Sequence, residues 1–143
     1  MICCKSISRL LITVLLEAWG SGNPEYHRLP VAAILFRQED YFIKEKEELH
    51  HQVKWLVPNA QKNAMEPMLL TLAPHGISEI QLPREAEEFG YVLKGSVKLY
   101  YGPRSFTVKQ GESFYFKAEK KHSIENCSNR ESVILWVSTP PSF

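Results

Sequence analysis

From Gln52 onward, short apolar segments alternate with polar positions and are cut by turn residues, the rhythm of a β-sandwich or barrel. The spacing predicts strands over residues 53–57, ended by Pro58-Asn59; over 68–72, ended by Pro74-His75-Gly76; and over 78–82, ended by Pro83. Residues 88–93 and 96–101 follow, joined at Lys94-Gly95, where glycine supplies the positive φ of a tight hairpin. Tyr101-Gly102-Pro103-Arg104 turns into residues 105–109, and Gln110-Gly111 turns into 113–117. The run Val133-Ile134-Leu135-Trp136-Val137 has the composition of a strand buried on both faces, within a strand over 132–138. Connections this short favour antiparallel pairing, because parallel neighbours need longer crossovers.

The first forty residues follow a different period. Ile7, Leu10, Leu11, Val14, Leu15 and Ala18 fall at helical spacing and predict an amphipathic helix over residues 6–18, which Gly20-Ser21-Gly22-Asn23-Pro24 ends. Lys5 and Arg9 before the apolar run also resemble a weak signal peptide, but Glu17 interrupts that run and the helical spacing favours the amphipathic helix. The run falls short of the roughly 20 apolar residues a membrane span requires. Residues 31–36 fit either a short helix or a buried strand, and the charged stretch 37–48 fits a solvated linker or an edge strand. The expected organisation is an N-terminal segment over 1–40 and a barrel domain over 41–143.

Composition narrows the function classes. At 143 residues the chain can bury a core without disulfide or metal staples. With 17 basic and 16 acidic residues it has no basic excess to attract a nucleic-acid backbone. Cys3, Cys4 and Cys127 form neither a disulfide framework nor a zinc-ligand spacing, which suits a reducing, cytoplasmic setting. P-loop, Rossmann and GxSxG patterns are all missing, and Cys127 reads as a strand-end residue rather than a nucleophile.

Two spaced signatures coincide with the strands. Glu88 opens a strand that ends at Gly95, six intervening residues later, and Gly111 is followed by Ser113-Phe114-Tyr115-Phe116, then His122 and Asn126. Together these resemble the two motifs of the cupin family, an antiparallel jelly-roll β-barrel with its site inside. Glu87 to Gly95, Gly111 to Phe116 and the ending Leu135-Trp136-Val137-Ser138-Thr139-Pro140-Pro141-Ser142-Phe143 resemble one subgroup more closely. In it, a cupin sensor follows an N-terminal helix-turn-helix of the XRE type, in bacterial transcriptional regulators related to polyamine-responsive repressors. Metal-dependent cupins hold a divalent ion with two histidines, the glutamate and a later histidine. Counting back from Glu88, the two histidine positions fall within residues 81–84, where neither is histidine, so Glu88 and His122 alone remain as ligands. Lys117 and Glu119 also replace the proline and glycine of the second motif.

The resemblance implies a ligand site built on Glu88 and His122, with Arg84 and Gln81 at the altered positions. A buried carboxylate at Glu88 needs a partner, from Arg84, from His122 or from a ligand amine. Tyr91, Tyr101 and Tyr115 offer aromatic faces suited to a cation, although core packing is the expected role for at least two of them. The leading expectation is a cupin that senses a small polar or cationic molecule and carries no cofactor. Alternatives are a metal-dependent isomerase or dioxygenase, in which Glu88 and His122 would be ligands, and a metal-free structural or dimerisation module. A homodimer is expected on family grounds. DNA binding is expected only if a longer form supplies the helix-turn-helix, of which residues 1–40 could be a remnant.

Overall fold

The computed structural model describes residues 34–58 and 60–142. The helix expected over 6–18 lies outside them, as do Cys3 and Cys4. The chain divides after Glu39. Of the first unit, residues 34–37 adopt neither helix nor strand, Ile34 and Leu35 are exposed, and Gln38–Asp40 makes one 3-10 turn. The second unit is the barrel.

Nine strands form it: β1 (Phe42–Lys46), β2 (His51–Trp55), β3 (Glu66–Leu72), β4 (Glu87–Lys94), β5 (Ser96–Tyr101), β6 (Arg104–Lys109), β7 (Ser113–Lys117), β8 (His122–Glu125) and β9 (Ser132–Thr139). A six-stranded sheet runs β1-β2-β3-β9-β4-β7 and a three-stranded sheet runs β6-β5-β8, with antiparallel pairing throughout. The inner faces follow the two-residue period. Glu88, Gly90 and Val92 point inward from β4, Ser132, Ile134, Trp136 and Ser138 from β9, and Val97 and Leu99 from β5. Leu72, Val92, Ile124 and Ile134 are fully buried at the centre of the core, each contributing roughly 2 kcal/mol.

Several expectations are corrected. β4 and β5 do not pair. Gly95, with φ +76°, is a corner at which the chain leaves the large sheet for the small one. An added Cβ there would lie 2.4 Å from Ser132 Oγ and 2.9 Å from the Glu131 carbonyl oxygen, so the corner has no room for a side chain. Gly95→Ala therefore combines a left-handed backbone with a steric clash and lowers stability by about 2 kcal/mol, measured by urea denaturation. An unchanged midpoint would show that the corner bends without strain.

The true tight hairpin is β5–β6, where Tyr101 faces Arg104 across Gly102-Pro103. The strand expected over 78–82 is an irregular segment beside β8, tied through bridges at Ile77–Glu125 and Gln81–His122. Pro83 brings no N–H to extend that pairing. The charged stretch contains an edge strand, β1, one of the two forms expected of it, with Phe42 and Ile43 exposed at its start. β2 begins at His51, two residues before the expected Val53. β9 is fully buried on its inner face only, since Val133, Leu135 and Val137 are half-buried on the outer one.

Candidate functional site

A cavity of about 300 Å³ is lined by inner positions of the large sheet and by His122 of β8. Its walls include Val53, Met68, Leu70 and Trp136, and its polar lining includes Glu88, His122, Gln81 and His51. The size suits a molecule of about ten non-hydrogen atoms, taking a water's share of liquid volume as roughly 30 Å³.

Glu88 is 3% exposed. Its Oε2 accepts hydrogen bonds from Trp136 Nε1 at 2.6 Å and from the Ser138 hydroxyl. Its Oε1 accepts from Arg84 at 3.3 Å, and the same guanidinium donates to the Pro140 carbonyl at 2.9 Å. Of the partners open to this carboxylate from sequence, the structure selects Arg84. Arg84 lies on the irregular chain entering β4, close to the carboxylate it pairs with. A second buried carboxylate, Glu66, has its Oε1 bonded by Trp55 Nε1 at 2.6 Å and its Oε2 by the Ser142 backbone N–H and hydroxyl, both at 2.7 Å. Pro140 and Ser142 are thus held by groups of the two strands that flank β9, Ser142 by Glu66 on β3 and Pro140 through the Arg84 that pairs with Glu88 on β4. That arrangement gives the specific ending of the sequence a physical role, because Ser138 and Ser142 both line the cavity.

His122 is 1% exposed, its ring edge-on to Phe116 at 4.8 Å and stacked beside Trp136 at 6.2 Å. Its Nδ1 lies 3.1 Å from the Lys120 carbonyl oxygen, an acceptor only, so Nδ1 carries the proton. In the neutral ring Nε2 then presents a lone pair. That nitrogen is buried and has no hydrogen-bond partner. Leaving such an atom unsatisfied costs about 1–3 kcal/mol, which a bound donor would offset. His51 repeats the arrangement, with Nδ1 2.7 Å from the Ile77 carbonyl oxygen.

Glu88, His122 and Gln81 therefore meet at the cavity, and Arg84 acts through Glu88. Tyr91 and Tyr115 do not reach it, which corrects their candidacy as cavity residues. β4 points Glu88, Gly90 and Val92 inward, so Tyr91 faces out. Tyr115 is 59% exposed, bonds Glu87 and borders a separate groove between β6 and β7. The lining residues missed from sequence include Lys44, His51, Trp55 and Trp136. Extending β2 back to His51 would have placed His51, Val53 and Trp55 on one face by simple alternation.

Asn126, the last residue of the second motif, is structural. Fully buried, it donates to the carbonyls of Leu72, Ala73 and Arg130 and accepts from the Ser128 N–H and hydroxyl. Beyond the cavity, the hydrogen bond Tyr100 donates to Glu125 at 2.7 Å pushes its pKa up to about 12. Desolvation and Glu125 raise the Cys127 thiol above its ordinary value, which keeps it protonated at neutral pH and unsuited to nucleophilic work.

A divalent metal is not supported by these side chains. Among the described residues no group of three or more His, Cys, Asp or Glu side chains could hold an ion. Both oxygens of Glu88 are also committed, one of them to a guanidinium.

The Cupin domain family matches residues 68–138. A relative, uncharacterized protein MJ1618 of Methanocaldococcus jannaschii, is 32% identical over 88 residues, covering 60% of this chain and 70% of its own. An HTH_3 family transcriptional regulator from Vibrio cholerae superposes with a TM-score of 0.60 at 21% identity, over 68% of this chain and 55% of the regulator. The chain thus spans about half the length of that regulator. A predicted oxalate decarboxylase from Thermotoga maritima superposes with a TM-score of 0.64 at 18% identity, over 74% of this chain and 98% of its own. A regulator and a predicted enzyme share the fold, so the fold alone selects neither activity.

Proposed function

The chain belongs to the cupin family, and from that premise we propose that its barrel binds a small polar molecule without a metal, as the sensing module of a transcriptional regulator. The observation that carries this reading is the buried, unpartnered Nε2 of His122 in the lining of a cavity large enough for a small molecule. The arrested carboxylate supports binding over catalysis. Glu88 accepts three hydrogen bonds, one of them from a guanidinium, and so keeps about one of its four lone-pair positions for the work of a general base or a metal ligand. The regulator half of the proposal draws on the C-terminal resemblance and on the fold shared with the Vibrio cholerae regulator. Contact with DNA would need a helix-turn-helix, and the proposal assigns none to the described residues.

The test is a thermal-shift screen of the full chain against organic acids, sugars, amino acids and polyamines, with metal analysis in parallel. At least one compound is expected to raise the midpoint. At a hundred times its dissociation constant, the gain is about 2.7 kcal/mol. Chelators are expected to leave the midpoint unchanged. One tightly held divalent ion per chain, or turnover of the bound compound, would overturn the proposal.

A further inference from the structure

The polar groups that line the cavity divide into committed and open ones, and the open ones define the occupant. Ser138 and Trp136 are spent on Glu88, and the Ser142 hydroxyl on Glu66. Ser78 donates to the Glu79 carbonyl and accepts from the Ile124 N–H. Lys46 is ion-paired with Glu79, and Arg84 with Glu88, so both carboxylates in the lining are already offset. Among the described residues that line the cavity, the polar side-chain groups left without a partner are Lys44 Nζ, the Gln81 carboxamide and the Nε2 atoms of His51 and His122. Cross-strand register places Lys44 opposite Val53, two residues from His51 on the cavity face of β1 and β2.

This set has one unopposed cation, two imidazole acceptors and no unopposed carboxylate. A cationic ligand would meet a site whose remaining charge repels it. A ligand with a carboxylate would meet Lys44, and its hydroxyls could donate to the two Nε2 lone pairs. The deep Nε2, on His122, accepts a hydrogen bond only from a group that carries a proton, so a carboxylate alone leaves it unsatisfied. Trp136 and Met68 offer apolar walls to the carbon skeleton between these ends. We infer that the cavity binds a small hydroxycarboxylate, with its carboxylate at Lys44 and its hydroxyls on His122 and His51. This assignment rests on the reading of the barrel as a small-molecule site.

Four probes separate the contributions: tartrate, in both enantiomers; succinate, which lacks the hydroxyls; threitol, which lacks the carboxylates; and putrescine, a cation. Calorimetric titration of the full chain is expected to show one tartrate enantiomer binding at least about tenfold tighter than succinate or threitol, with no binding of putrescine. Lys44→Met, an exposed substitution that leaves the core intact, weakens tartrate about tenfold and leaves threitol unchanged. Nitrogen NMR of the imidazoles is expected to show the His122 Nε2 resonance moving on addition of tartrate, while Nδ1 stays fixed. Failure of tartrate to bind, putrescine or threitol binding as tightly, or an unaltered affinity in Lys44→Met would overturn the assignment. If a compound of another class from the broader screen binds, only the ligand class is wrong. If none of any class binds, the small-molecule reading falls with it.

Discussion

Arg84→Met lowers the stability of the barrel by about 3 kcal/mol, because it leaves the Glu88 carboxylate buried without its counter-charge. The cost sits at the lower end for such losses, since Trp136 and Ser138 still donate to Oε2 and Arg84 itself is partly exposed. The thermal midpoint should fall by about 10 °C, as measured by circular dichroism. The second site identifies the cause. In Arg84→Met/Glu88→Gln the charge is gone while the amide oxygen can still accept from Trp136, so the double variant is expected to be more stable than Arg84→Met alone. Equal instability of the two would mean that the loss comes from the freed Pro140 carbonyl rather than from the buried charge.

Asn126→Ala is expected to be still more damaging, at about 4 kcal/mol in chemical denaturation. One side chain satisfies carbonyls on two separated segments, Leu72-Ala73 at the end of β3 and Arg130 just before β9, and it also receives Ser128. Truncation strands several buried polar groups together, each costing about 1–3 kcal/mol before relaxation. Asn126→Asp keeps the volume but replaces the donating NH2 with an oxygen aimed at three carbonyls, so it is expected to rescue nothing. A mild effect in both variants would show that water takes over these contacts.

How far the sequence reads through to the molecule depends on the range of the interaction involved. The two-residue alternation of β4 and the length of β5 are local consequences of pleating, so residues 88–93 and 96–101 could be recognised as strands with their boundaries nearly correct. Turn chemistry at Gly95 was equally visible, but a glycine with positive φ suits a hairpin and a corner alike. Choosing between them depends on β9 and β7 having already taken both edges of β4. β1 was legible only as one of two alternatives, linker or edge strand, and its pairing with β2 decides for the strand.

The site divides in the same way. Resemblance to the two cupin motifs pointed to Glu88 and His122, and the structure places both in the lining of the cavity. Gln81 and Arg84 followed from counting back along the same motif. Sequence could not say that Arg84 would spend itself on Glu88, or that His51, thirty-seven residues before Glu88, would offer a second imidazole to the same cavity. Nor could it place Tyr91 and Tyr115 outside, since their side of the sheet depends on a parity set by the whole of β4 and β7. The sequence by itself therefore determined the barrel, most of its strands and three of its pocket residues, the strands through near-neighbour sterics and period and the pocket residues through the motifs they resemble. Only the tertiary structure decided which polar groups remain unsatisfied. A hydrogen bond or an ion pair is spent between residues far apart in the chain, and what a cavity can bind is whatever those pairings leave over.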